Sequence, residues 1–214
     1  MEILSTLSPA VTYLIKFGER ATLKDLLKYT LADLIFKRVL KSVLRPDPMN
    51  EDVPLHYIIK GTNYDGYTPL EHEKVFTSIF YLSTDVEVLI NQFVKVAYHS
   101  ARGKRNFIFN KMMQSQTVSD HIKNGFIKRL LSSVDHTERG LQVQKEIKKA
   151  LDILQKDYSN MIENNPEAAK EVLRKIGGNI FLLNSFDFEL LAKIDKELAD
   201  QINQHSSYDN SGND

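Results

Sequence analysis

Residues 22–44, TLKDLLKYTLADLIFKRVLKSVL, decide the reading of the fold. From Leu23 the apolar residues Leu26, Leu27, Leu31, Leu34 and Ile35 recur three and four positions apart, the period of one helix face, and Thr22 stands where an N-cap belongs. The spacing allows one long helix to about Lys37 or two helices with a tight joint near Tyr29-Thr30. At Val39 the pattern changes. Val39 to Leu44 is a β-prone run, answered by a second at Leu55 to Ile59. Between them Pro46, Pro48 and Pro54 remove backbone donors, which predicts a long loop from Arg45 to Pro54 rather than helix or ladder. The expectation is a helix feeding an antiparallel two-stranded hairpin whose tip carries Asp47, Glu51 and Asp52.

Working outward, Ser8-Pro9 opens a short helix through Ala10, Val11, Leu14, Ile15 and Phe17 that Gly18 ends. Thr62-Asn63-Tyr64-Asp65-Gly66 is turn chemistry, with Gly66 free to take positive φ. From Thr68 onward the chain reads as helical. Thr68-Pro69-Leu70-Glu71 and Thr84-Asp85-Val86-Glu87 have capping-box spacing. Thr117-Val118-Ser119-Asp120 opens a segment carrying Ile122, Phe126, Ile127, Leu130 and Leu131, and a longer helix begins near Thr137. Asn165-Pro166-Glu167 starts another that Gly177-Gly178 stops, and Asp187 caps the last. Ile147, Leu151, Leu154, Tyr158 and Met161 form a short heptad seam suited to self-association. The expected fold class is therefore mostly α: a helix and hairpin unit over residues 1–66, a helical array over 67–203, and a tail over 204–214 whose Asn, Ser and Gly content predicts disorder.

Composition removes several chemistries. The 214 residues include no cysteine, which excludes disulfides, thiolate nucleophiles and cysteine-ligated metals. The six histidines, His56, His72, His99, His121, His136 and His205, show no spacing that places two imidazoles on one helix face, so no metal is expected. No nucleophile elbow, P-loop or dinucleotide glycine motif is present, which weighs against an enzyme and against a cofactor. The start, Met1-Glu2-Ile3-Leu4, has an acid where a secretory leader carries a cation, and Ile79 to Leu82 and Ile180 to Leu183 fall far short of the roughly 20 residues that span a bilayer. A cytoplasmic chain without a transmembrane segment is expected.

Charge is balanced overall but not locally. Lys and Arg against Asp and Glu give net charges of +4 over residues 1–45, −6 over 46–92, +7 over 93–134 and −5 over 135–214. The most concentrated basic stretch holds Arg102, Lys104, Arg105 and Lys111 beside Phe107 and Phe109. Exposed, it would grip phosphates and stack bases, or lie on anionic lipid; alternatively it is an interhelical loop whose aromatic residues belong to the core. A second basic face, Lys24, Lys28, Lys37 and Arg38, belongs to the helix before the hairpin. Tyr57, Tyr64 and Tyr67 surround the hairpin exit, as a partner-binding edge or as a cover over the sheet end.

The order of short helix, Leu-rich helix and hairpin over residues 8–66 resembles the winged-helix superfamily, with Leu31-Ala32-Asp33-Leu34 and Lys37-Arg38-Val39-Leu40 placed where its third helix runs into the wing. That superfamily often closes the third helix with glycine; here Arg38 and Val39 stand there. The chain as a whole resembles a bacterial family with such a start, and the Leu-Ala-Asp-Leu region is faintly similar to the Golgi-phosphoprotein-like family, whose characterised members bind phosphoinositides. The winged-helix resemblance implies a DNA-reading helix and wing, against which the acidic tip would set like charge on the phosphate backbone. A non-catalytic protein-interaction module, self-associating or binding another chain, is the leading expectation. Nucleic acid and a peripheral anionic lipid surface are the alternatives.

Overall fold

The computed structural model describes residues 1–47, 49–81, 86–123, 133–184 and 189–209, with backbone alone for 50–53, 190, 202 and 204–209. Helices α1 (Glu2–Thr6), α2 (Pro9–Phe17) and α3 (Leu23–Phe36) open the chain. Thr22 caps α3 by accepting the Asp25 amide at 3.1 Å. There is no joint at Tyr29-Thr30: the Thr30 hydroxyl bonds back to the Leu26 carbonyl at 2.7 Å inside one continuous helix.

Strands β1 (Leu40–Asp47) and β2 (Asn50–Lys60) form the hairpin. Its ladder is longer than expected. Both flanks of the predicted loop are paired, in a register that runs from Leu40 opposite Lys60 to Pro46 opposite Pro54 before shifting at Asp47. Counted from the Gly61 amide on the Val39 carbonyl, Pro46 and Pro54 meet at a non-hydrogen-bonded pair, where an N–H would point away from the partner strand, so neither proline costs the hairpin a ladder bond. Asp47 closes the turn by accepting the Met49 amide at 2.9 Å. Pro48 and the side chains of Glu51 and Asp52 lie outside the described residues. A third strand, β3 (Val88–Leu89), pairs antiparallel with Tyr57 and Ile58, giving the order β1-β2-β3 and leaving β1 at the edge.

Helices α4 (Lys74–Thr77), α5 (Ile90–Ala101), α6 (Gly103–Asn106), α7 (Gln116–Ser119), α8 (Glu138–Asn164), α9 (Pro166–Ile176) and α10 (Glu189–Asp209) follow among the described residues. Thr137 and Asn165 cap α8 and α9 as their sequences predict, accepting the amides of Gly140 and Ala168. The Thr68 box does not start a helix. Glu73, the residue before the helix, instead turns its carboxylate back to accept the Leu70 amide at 2.7 Å, and the helix begins only at Lys74. Likewise α5 begins at Ile90, because Val88 and Leu89 are drawn into the sheet; Thr84 and Asp85 lie outside the described residues. After Thr117 the helix lasts one turn, and Ile122 instead bridges His136 as an isolated strand pair. Phe126, Ile127, Leu130, Leu131 and Asp187 fall outside the described residues. Helix α10 continues to Asp209, past Gln204.

Gly66 does not divide the core. One cluster of buried apolar side chains runs from Leu4 through Leu31, Phe76 and Phe93 to Leu198. Helix α2 packs on α8, α3 packs on α10, and α10 packs on α5, so the C-terminal helix closes over elements from both sides of that position. Phe93 is the aromatic centre, 5.7 Å from Phe76 and 5.6 Å from Phe80 between ring centroids. Ile147, Leu151, Leu154 and Tyr158 of the heptad seam are buried in this same core, so the seam faces the chain's own helices. Among the described residues no helix is long and apolar enough to cross a membrane.

One close approach tests the arrangement. A Cβ on Gly140 would lie 2.0 Å from the His121 carbonyl oxygen, where the Thr137 hydroxyl also reaches back to the Asp120 carbonyl at 2.7 Å. Helix propensity alone favours alanine by about 1 kcal/mol. We expect Gly140→Ala to lower the melting temperature by about 5 °C or more, through overpacking against backbone. A thermal melt showing a rise would contradict this contact.

Candidate functional site

The hairpin root is built where α3 ends. The Lys37, Arg38 and Val39 amides bond to the Asp33, Ile35 and Leu34 carbonyls at 2.8, 2.9 and 2.9 Å, and Arg38 adopts the left-handed conformation at φ 57°. This reverses the chain into β1. The returning chain is fastened to the same turn: the Gly61 and Asn63 amides bond to the Val39 and Arg38 carbonyls at 2.8 and 3.0 Å, and the Asn63 side chain donates to the Lys37 carbonyl at 2.8 Å. Position 61 admits only glycine, since a Cβ there would lie 2.0 Å from the Arg38 carbonyl oxygen.

Beneath the turn sits an ionic group. Lys37 lies 2.6 Å from Asp33 and 3.5 Å from Glu73, two carboxylates that are 4% and 1% exposed. The Tyr67 hydroxyl donates to Glu73 at 2.9 Å. Burial alone would lower the Lys37 ammonium, but Asp33 and Glu73 outweigh it and hold the group above the usual lysine range. Burial and the Glu73 charge push Tyr67 up to about 12.

On the outer side of the root is a groove of about 470 Å³ lined by Ile35, Arg38, Leu40, Lys41, Gly61 and Thr62, mostly apolar, with two exposed cations at its rim. It continues into the outer edge of β1, which pairs with no strand among the described residues. Farther along the arm Leu44 is 54% exposed and Met49 is 97% exposed. Arg45 braces the arm from the other side, its guanidinium donating to both Glu87 oxygens at 3.0 and 2.6 Å.

The basic residues are distributed differently from their clustering in sequence. Phe107 and Phe109 are 0% and 5% exposed, so the rings required for base stacking or lipid wedging are core. The segment Phe107–Lys111 is a π-helical turn that directs them inward. Lys104 donates to the Glu19 carbonyl at 2.6 Å, and Lys111 is half-buried. Arg102 and Arg105 remain exposed, Arg102 in a left-handed conformation at the end of α5. On α3, Lys24 and Lys28 each lie 2.9 Å from Asp195 of α10, and Lys28 lies 3.0 Å from Asp25; with Lys37 committed to its carboxylates, Arg38 alone of this face makes no ion pair with a described residue. Of the tyrosines, Tyr64 donates to the Thr77 carbonyl at 2.7 Å and Tyr67 to Glu73, so both are built into the fold. Tyr57 is half-buried mid-sheet, between Val43 and Leu89.

Among the described residues no group of three His, Asp or Glu side chains is placed to hold a metal ion. His72, 1% exposed and edge-on to Phe107 at 6.2 Å, has no partner for Nδ1. Burial lowers it to about 4 from its ordinary 6.5. The unfolded chain therefore takes up a proton near 6.5 that the folded chain refuses, and stability falls as pH drops from about 6.5 towards 4, by on the order of 3 kcal/mol in all. Denaturant midpoints across this window should fall steeply for the parent and less for His72→Gln. Equal slopes would remove His72 as the cause.

Compared with known proteins, the chain matches no family model, no curated protein and no solved structure.

Proposed function

We propose that this chain is a non-catalytic protein-interaction module that docks a partner chain on its β1–β2 hairpin. The observation that carries the reading is the free edge of β1, which runs from an apolar groove at the root past exposed Leu44 towards exposed Met49. A long unpaired edge invites pairing with another strand, and folded proteins cover or blunt such edges unless they use them. Pro46 blunts only the distal part. The order α2, α3, β1, β2 supports a winged-helix-like description of residues 8–66, with the hairpin as the wing. Two other candidate surfaces are spent: the heptad seam is core, and the α3 lysines are neutralised by α10 and by buried acids. A nucleic-acid reading retains exposed Arg102 and Arg105 but lacks exposed aromatic residues beside them.

Panning short randomised peptides against the protein tests this. Peptides recovered on the parent should be lost in Ser42→Pro, which removes an outward-pointing donor from the edge of β1 and leaves the β1–β2 ladder bonds in place. Peptides held equally by both forms would overturn the assignment to the β1 edge.

A further inference from the structure

We infer that the groove at the hairpin root takes an extended acidic segment of the partner, which adds to the free edge of β1 and sets its carboxylates on Arg38 and Lys41. This rests on the reading of the hairpin as the docking element and names the chemistry of what docks there.

Arg38 is the residue that points to it. Its φ of 57° lies in the region that disfavours every side chain except those of Gly, Asn and Asp. Glycine would close α3 without strain. The side chain gives the fold nothing in return: it is exposed, and it makes no hydrogen bond or ion pair with a described residue. What it does is stand at the rim of the groove beside Lys41, which is also exposed and without an ion pair to a described residue. A strained residue whose side chain serves no internal contact is a mark of use at a surface.

The occupant follows from three properties. The edge of β1 offers alternating N–H and C=O groups, which match an extended peptide backbone and not a sugar–phosphate one. Alternate side chains of an added strand point to opposite faces, so one set enters the groove against Ile35 and Leu40 while the other meets the cations. The lining contains two cations and no carboxylate, so charge complementarity selects Asp and Glu. Pro46 ends the usable edge, which confines the segment to the stretch from Leu40 to Arg45.

The peptides recovered by panning supply the test, measured by anisotropy on the full chain. Expected are sequences with Asp or Glu at alternate positions that bind about tenfold or more weakly to Arg38→Gly, weaker still to the double variant with Lys41→Glu, and weakly when N-methylated on the pairing edge. Arg38→Gly should melt within a few degrees of the parent, because it relieves the left-handed strain; Arg38→Asn, which tolerates the same conformation, serves if the glycine form folds poorly. Peptides without acidic bias, or with affinity unchanged by Arg38→Gly, that are still lost in Ser42→Pro would overturn this inference and leave the β1 edge as the docking element. Retention in Ser42→Pro would sink both. A single-stranded oligonucleotide that displaces the peptides and shows the same Arg38 dependence would reassign the groove to nucleic acid and overturn it.

Discussion

Everything at the hairpin depends on Lys37 lying between two buried carboxylates. Asp33 sits one turn earlier on α3, and Glu73 arrives from the segment that leads into α4, so the ammonium ties the end of one helix to the start of another across the chain reversal. Two carboxylates this deeply buried without a cation would be costly; breaking such a group typically loses about 3–5 kcal/mol. The ionic contact therefore determines where α3 stops. Where α3 stops determines the left-handed turn at Arg38, the register of β1 on β2, and the direction of the arm. Glu73 has two further duties, holding the Leu70 amide and the Tyr67 hydroxyl, so the extended segment before α4 is set by the same carboxylate.

The balance of charge in the chain takes on meaning through these pairings. The positive first segment and the negative last one meet where Asp195 lies between Lys24 and Lys28, a contact between residues far apart in sequence that lays α10 along α3. Asp25 adds to it, accepting from Tyr13 and Thr22. A helix whose cations are neutralised in this way and whose face is covered by another helix is poorly placed to enter a DNA groove, although a similar helix–helix–hairpin order is used for that elsewhere. Arg38 and Lys41 are left at the groove, because the other cations of the hairpin and its root are engaged elsewhere: Lys37 with Asp33 and Glu73, Arg45 with Glu87, and Lys60 over the Tyr64 ring.

Local signals are legible in this sequence, and tertiary ones are not. Helices α2, α3, α8 and α9 were legible because caps such as Thr22, Thr137 and Asn165 act on amides three residues away, and the apolar period declares the buried face. The capping box at Thr68 had the right spacing but failed, because Glu73 is drawn inward by Lys37 and Tyr67 and takes the Leu70 amide with it. The length of the hairpin was hidden because the effect of Pro46 and Pro54 depends on which way their missing N–H groups would point, and the register at the root sets that. Strand β3 is two residues that only the exposed flank of β2 makes into a strand. At Phe107 and Phe109 the fold selects between the two readings open in the sequence: the rings are large enough that the core claims them, whatever cations lie nearby. As for the site, the missing glycine at the end of α3 was visible in sequence, but the consequence, a strained and unpaired Arg38, required the fold.

The central claim is that the root of the hairpin is locked to the core while the arm beyond it stands clear. Native-state hydrogen exchange of backbone amides tests it most directly. The Val39, Gly61 and Asn63 amides, which bond to carbonyls at the end of α3 and in the turn after it, should exchange only through global unfolding, whereas the arm amides of Leu44, Arg45 and Asp47 should exchange through local opening at far lower free energy. Root amides that exchange as readily as those of the arm would contradict the account.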